Sequence, residues 1–293
     1  MNRIHPRTEI GVVQLKISNM ETSLRFYQEV IGLKLVRREG AIAELSAGGE
    51  HPLVVLEENP LFRKQRNRST SGLYHFAILL PDRQSLGAAL RNLIRHQIPV
   101  GQGDHLVSEA LYLDDPDGNG IEIYADRPRD TWKRDEHGGI LMTTDPVDVS
   151  GLMAISEGVS WQGVPADTKI GHIHLHVGDL HTAEHFYCDI IGFDRITTYG
   201  DSALFISAGG YHHHIGLNTW AGKGAPPAPE QAAGLRYYSI LIPEEASLQN
   251  ILNRLEAEGL AFAKLEGQQG AALKDPFGNG IALVVADLSN SSH

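Results

Sequence analysis

The sequence predicts an α+β fold made of one small unit used four times: a strand, a helix, then three strands, a βαβββ module. Three observations support this. First, displaced by about 160 positions the chain falls on itself, the mark of a duplicated domain. NMETSLRFYQEVIGLKL (19–35) meets DLHTAEHFYCDIIGFDR (179–195), SAGGEH (46–51) meets SAGGYH (207–212), and GLYHFAILLP (72–81) meets GLRYYSILIP (234–243). DDPDGNGIEIYAD (114–126) meets KDPFGNGIALVVAD (274–287). Second, each half divides again into two runs of the same strand and helix order. Third, a strand alternates its side chains, so His75 and Glu122 can each point to the concave side of a curved sheet while Phe76 and Ile121 point away.

Taken in order, the first module has a strand over Gly11–Ile17, a helix over Thr22–Val30 closing at Gly32, and short strands about Ala41–Ser46 and Pro52–Glu57. The second repeats the plan with strand Tyr74–Leu80, helix Ser85–His96, strand Ala110–Asp114 and a closing strand at Glu122–Tyr124. The Asp-Pro-Asp-Gly-Asn-Gly turn lies between its last two strands. Modules three and four start at Gly171 and Gly234. Connectors over 59–71 and 221–233 separate the modules within each half, the second rich in Pro, Ala and Gly. The expected domains are 8–126 and 168–287, joined by a link over 127–167 whose Ser150–Ser156 region is a candidate short helix.

Bulk composition narrows the function classes. The 293 residues suffice for two domains, and 42% apolar content suits a packed core. A formal charge of −11 argues against nucleic acid; the one cationic cluster, Arg63, Lys64, Arg66 and Arg68, reads as a solvated connector. No apolar run approaches the ~20 residues of a membrane helix, and MNRIHPRTEIG lacks a signal-peptide core, so a cytoplasmic location without membrane contact is expected. The single cysteine, Cys188, excludes an intramolecular disulfide and a cysteine-rich zinc site. It aligns with Gln28, which speaks against a nucleophilic role. There are 15 histidines, and their placement carries the information.

The patterns xHxxLxV, DLxxSLxFYxxVIGL and DPDGNGIEIY resemble those of the vicinal oxygen chelate superfamily, which includes glyoxalase I, fosfomycin and bleomycin resistance proteins and the extradiol ring-cleaving dioxygenases. The four-module length and HHHIGLNTW make the chain most similar to the catechol 2,3-dioxygenase branch. The resemblance covers about residues 8–126 and 168–287. It implies tandem domains whose modules close in pairs into half-barrel sheets. A metal is then held by residues on the first strand of each module and the last strand of one or both.

On this sequence the first-strand slots hold Val12, His75, His172 and Tyr237, and the last-strand slots of modules two and four hold Glu122 and Ala282. Neither half is complete alone. The resemblance implies Fe(II), with Mn(II) as alternative, on two neutral imidazoles and one carboxylate, leaving cis positions for a diol and O2. Only modules two and three together supply that set, so His75, Glu122 and His172 are the expected ligands, and the expected pairing is two with three and one with four. This departs from the branch's usual use of its two C-terminal modules. His174 shares the face of His172 and is the alternative ligand or a pocket wall. By resemblance His213, in the last strand of module three, is the acid–base histidine, with His214 as substitute because neighbours on a strand face opposite ways. Tyr112 and His105 match a tyrosine beside the metal and a histidine that touches substrate. His181 and His185 read as solvent-facing helix residues, and Gln14 as unable to restore a ligand set beside Val12.

The expected activity is opening of catechol or a substituted catechol with O2 to a 2-hydroxymuconic semialdehyde-type product. A glyoxalase-type isomerase or thiol transferase, and a non-catalytic aromatic-ligand resistance protein, are the alternatives. Homo-oligomerisation through sheet edges is compatible with the resemblance.

Overall fold

A computed structural model describes residues 3–49, 51–64, 69–136 and 138–286. Arg66 and Arg68 of the cationic cluster, and Asp287 at the expected domain end, lie outside the described residues.

Each module follows the predicted order. Module one is β1 (Glu9–Ile17), α1 (Met20–Arg25), β2 (Lys34–Glu39), β3 (Ile42–Ser46) and β4 (Val54–Glu58). Module two is β5 (Gly72–Leu80), α2 (Arg83–Arg95), β6 (Gly101–Asp104), β7 (Ser108–Asp114) and β8 (Gly120–Asp126). The link contributes α3 (Val149–Ile155), one residue from the expected helix. Module three is β9 (Lys169–His176), α4 (Leu180–Glu184), β10 (Asp194–Tyr199), β11 (Ala203–Ser207) and β12 (Ile215–Asn218). Module four is β13 (Gly234–Ile242), α5 (Glu245–Ala257), β14 (Phe262–Lys264), β15 (Gly270–Lys274) and β16 (Gly280–Val285).

The short helices have local causes. Asn19 and Asp179 cap α1 and α4 by accepting the backbone N–H of Thr22 and Thr182, at 2.8 and 2.7 Å. Both helices then widen into a π-helical turn, Phe26–Ile31 and His185–Ile191, where the single helix predicted over Thr22–Val30 changes its hydrogen-bond pattern. Each ends at a glycine in the left-handed region, Gly32 (φ 88°) and Gly192 (φ 108°).

The strands form two eight-stranded sheets, ordered β14-β15-β16-β13-β1-β4-β3-β2 and β10-β11-β12-β9-β5-β8-β7-β6. Each sheet therefore joins one module from each half: four with one, and three with two. The seams are the antiparallel pairs β1 with β13 and β5 with β9. Among the described residues a large apolar cluster takes one face of both sheets together with Leu24, Leu86, Leu93, Ala183 and Leu255 from the helices. Alternation is clean in the second sheet. Phe76, Ile121 and Ile173 enter that cluster, so their neighbours on each strand face the opposite, cupped side.

The two recurring motifs meet as one structural joint. Asp115 accepts the backbone N–H groups of Asp117 and Asn119 at 2.9 and 2.8 Å, the Asn119 amide at 2.8 Å, and the Tyr27 hydroxyl at 3.0 Å. The duplicate is the same: Asp275 accepts Phe277, Asn279 and the Tyr187 hydroxyl at 2.9 Å. Gly120 completes the turn because a Cβ there would lie 2.0 Å from the Tyr74 carbonyl oxygen.

The connectors are not merely solvated. Arg63 and Lys64 are exposed, but the Arg63 backbone exchanges hydrogen bonds of 2.8 and 2.9 Å with Gln231 and Ala233, so the two connectors pair with each other.

Candidate metal centre

Three strands of the second sheet bring the three chemistry-bearing side chains to one point. Across the sheet, His172 on β9 and Glu122 on β8 both lie opposite Ala77 of β5, and Tyr112 on β7 lies opposite Glu122. The row His172, Ala77, Glu122, Tyr112 thus has a methyl group where a larger side chain would fill the cup. His75 reaches the same point from two residues before Ala77, across an irregularity in the β5–β9 register between Leu73 and His75.

Nε2 of His75 and Nε2 of His172 each lie 3.0 Å from Oε2 of Glu122, and the three donor atoms are all within 4.8 Å of one another. All three residues are buried. Burial alone would raise the Glu122 carboxyl, but the imidazoles of His172 and His75 outweigh it and hold the group well below the ordinary carboxylate range. Burial pushes His75 down despite the pull of Glu122. Nε2 of His75 is buried and in hydrogen-bonding alignment with nothing, despite its 3.0 Å approach to the carboxylate. A buried nitrogen lone pair left unused beside an anionic oxygen suits a cation between them. One carboxylate and two imidazoles are a donor set for a divalent metal.

The flanking residues sort the remaining expectations. His174 points into the same cup, its ring 5.0 Å from that of His75, but it does not join the three; with Tyr74, Phe205 and Trp220 it forms an aromatic wall. Its Nε2 is buried without a hydrogen bond. His213 lies in the turn before β12 rather than in the last strand of module three, which begins at Ile215. The alternation rule for a strand therefore does not hold there, and His212 and His213 both turn toward His172, at ring distances of 6.1 and 4.1 Å. His214 turns away: its Nδ1 accepts the Ala208 N–H at 3.1 Å and its ring lies against Tyr211.

His105 sits beside Tyr112, with Nε2 2.6 Å from the tyrosine hydroxyl and Nδ1 2.7 Å from the Thr143 carbonyl oxygen. A carbonyl only accepts, so Nδ1 carries the proton, and the Tyr112 hydroxyl donates to Nε2. Burial and the nearby Glu122 raise the Tyr112 phenol well above its ordinary value. Thr143 belongs to the link, which is thus part of the site wall. Beside His75 and Tyr112 a cleft of about 620 Å³ opens, bordered by Tyr74, Ile98, Pro99 and Lys64.

The sister cup is of a different kind. Gln14 donates to Glu57 at 2.9 Å, Arg236 pairs with the same carboxylate, and Ser239 meets the Val12 backbone at 2.7 Å. Val12, Tyr237 and Ala282 occupy its ligand slots; among the described residues no second group of three metal-binding side chains forms. Burial pushes the half-buried Cys188 thiol up to about 12, and His181 and His185 are exposed.

The profile of the Glyoxalase/Bleomycin resistance protein/Dioxygenase superfamily matches residues 9–123 and 169–283, most of both halves. The chain belongs to this superfamily. Among curated relatives of this superfamily member, a catechol-2,3-dioxygenase of Bacillus subtilis (strain 168) is 52% identical over 277 residues, covering 94% of this chain and 96% of the relative. A lactoylglutathione lyase of Neisseria meningitidis serogroup B (strain MC58) is 30% identical over 119 residues, 37% of this chain. Among solved structures, glyoxalase I from Zea mays shares the superfamily fold at 17% identity and a TM-score of 0.57, covering 95% of this chain and 92% of that one. No helix among the described residues is long and apolar enough to cross a membrane.

Proposed function

We propose that this protein is an extradiol ring-cleaving dioxygenase that opens catechol or a substituted catechol with O2, giving a 2-hydroxymuconic semialdehyde-type product. The observation that carries the reading is the buried set of His75, Glu122 and His172: two imidazoles and a single carboxylate converging over Ala77. The near-full-length relative with catechol-2,3-dioxygenase as its name supports the same activity. No second carboxylate joins the three within 4.8 Å among the described residues, and glyoxalase-type chemistry commonly uses one.

The three side chains hold Fe(II), Mn(II) being the alternative, and the metal supplies the redox chemistry that lets O2 react with an aromatic ring. The protein supplies position and protons. A flat aromatic diol enters from the cleft beside Tyr74 and Tyr112, and the wall of Tyr74, His174, Phe205 and Trp220 packs against its ring. His213, against His172, accepts a hydroxyl proton as the diol binds and returns it as the ring opens. Tyr112, whose hydrogen is directed at His105, offers oxygen lone pairs to the substrate side. The buried Tyr124 packs its ring 4.8 Å from that of His172 and helps hold that imidazole in place. A cytoplasmic location belongs to the same reading.

Anaerobic reconstitution with Fe(II), then addition of catechol and air, tests it. A yellow ring-opened product is expected. No product from several catechols, together with turnover of a glutathione hemithioacetal, overturns it in favour of an isomerase.

A further inference from the structure

Behind the acid–base histidine lies a polar chain, buried at His212 and half-buried at Asp126, that the reaction as described does not use. Asp126, the last residue of β8, places Oδ1 3.0 Å from Nε2 of His212. Nδ1 of His212 is 2.8 Å from Nδ1 of His213. His212 is fully buried, stacked on Tyr211 at 4.1 Å and edged by Trp132 of the link at 5.4 Å, so its ring has little freedom to turn. Arg129 lies over the rings of both Tyr211 and Trp132 and closes the outer side. Nε2 of His213 has no hydrogen-bond partner among the described residues, and the ring faces His172 and Phe205.

Hydrogen-bond direction then fixes the tautomers. A carboxylate only accepts, so the Asp126 contact requires a proton on Nε2 of His212. A neutral imidazole carries one N–H, so Nδ1 of His212 is bare and accepts. The facing atom, Nδ1 of His213, must donate. We infer that Asp126 and His212 are positioning residues that lock His213 in its Nδ1–H tautomer, leaving Nε2 as the bare nitrogen that meets substrate. This rests on the proposed role of His213 in ring opening. Neither residue touches substrate. They act by denying His213 the tautomer in which the cup-facing nitrogen is already protonated and cannot take a proton.

The test reads the tautomer directly. Long-range proton–nitrogen NMR spectra of 15N-histidine-labelled, Zn(II)-loaded full-length protein are recorded at about pH 8, above the ordinary histidine pKa. His213→Gln assigns the resonances by subtraction. The wild type is expected to show His213 protonated on Nδ1. His212→Phe keeps the stacking between Tyr211 and Trp132 but removes the acceptor, and should move the His213 proton to Nε2. In the Fe(II) enzyme the same variant should lose roughly 100-fold in kcat, the low end of acid–base contributions, with KM and metal content unchanged. His212→Gln, whose amide oxygen can accept, should recover part of both readouts. An Nε2–H tautomer in the wild type, or no change of tautomer in His212→Phe, overturns the inference. If the wild type turns over no catechol, the dioxygenase reading fails while the tautomer measurement still decides the lock.

Discussion

The methyl group of Ala77 defines the space in which the three donor atoms meet, and enlarging it is the sharpest test of the centre. Ala77 lies between His172 and Glu122 in one cross-strand row, fully buried, with Ala110 and Tyr124 packed around it. Neighbouring strands are about 4.8 Å apart, so the two flanking side chains start roughly 10 Å from each other and must lean over residue 77 to meet. In Ala77→Leu the added isobutyl group occupies that meeting point. Overpacking costs about 1–3 kcal/mol, which is survivable for a core of this size. The metal is affected more: displacing one of three ligands should cost at least the roughly 100-fold in affinity that loss of an orienting partner can cost. Metal content after dialysis, and competition with a coloured chelator, measure this. Ser239 is the control, because it pairs with Ala282 in the sister sheet as Ala77 pairs with Glu122. Ser239→Leu disturbs packing to a similar extent and should leave metal affinity unchanged. Full occupancy and wild-type affinity in Ala77→Leu would refute the assignment of this cup as the metal site.

His75→Ala, Glu122→Ala and His172→Ala should each lose bound metal, whereas His213→Ala should keep it and lose turnover by roughly 100-fold or more; metal analysis beside product absorbance separates the two classes. Chelation should lower thermal stability, by about 2.7 kcal/mol where free metal had stood at 100 times its dissociation constant, and a thermal melt with and without chelator reads this. Burial raises the Asp115 carboxyl to about 6, against an ordinary value of 3.8 in the unfolded chain. Its favourable contribution is present below pH 3.8 and lost as pH rises through 6, a change of about 3 kcal/mol from about 2.2 pH units at 1.36 kcal/mol each. The destabilisation caused by Asp115→Asn should accordingly shrink by about that amount between pH 4 and pH 7 in denaturant titrations.

Repeat and motif were legible in the sequence because they are local. The strand–helix order, the cap at Gly32 and the turn at Asp115–Gly120 follow from neighbours in the chain, and each appears where expected. The pairing of modules two and three was legible for another reason: the ligand slots are complementary only in that combination. What escaped was set by groups far apart in sequence. Ala77 carries no signal of its own, since an alanine in a buried strand is ordinary until the row across the sheet is known. His212 carries no signal of its own, because its approach to His213 depends on a segment that lies outside β12 and does not alternate as a strand would. Thr143 and Trp132 lie in a link with weak periodicity, yet they contact His105 and His212. Connector pairing between Arg63 and Ala233 likewise depends on both halves being folded.

The division of labour within the repeat follows from where its bonds lie. The aromatic of the FY segment and the aspartate of the DPxGNG turn bind each other in both halves, Tyr27 with Asp115 and Tyr187 with Asp275, at 3.0 and 2.9 Å. In each case the tyrosine comes from the helix of one module and the aspartate from the closing turn of the next, and those two modules belong to different sheets. The motif residues therefore tie the two sheets together. The cup side chains project from the opposite face of the strands and make no contribution to that tie. One cup can thus hold Val12, Tyr237 and Ala282 while the other holds two imidazoles and a carboxylate, with the same scaffold under both. Substitutions at Tyr27 or Asp115 should then reduce stability and leave metal affinity unchanged, whereas substitutions at His172 or Glu122 should weaken metal binding.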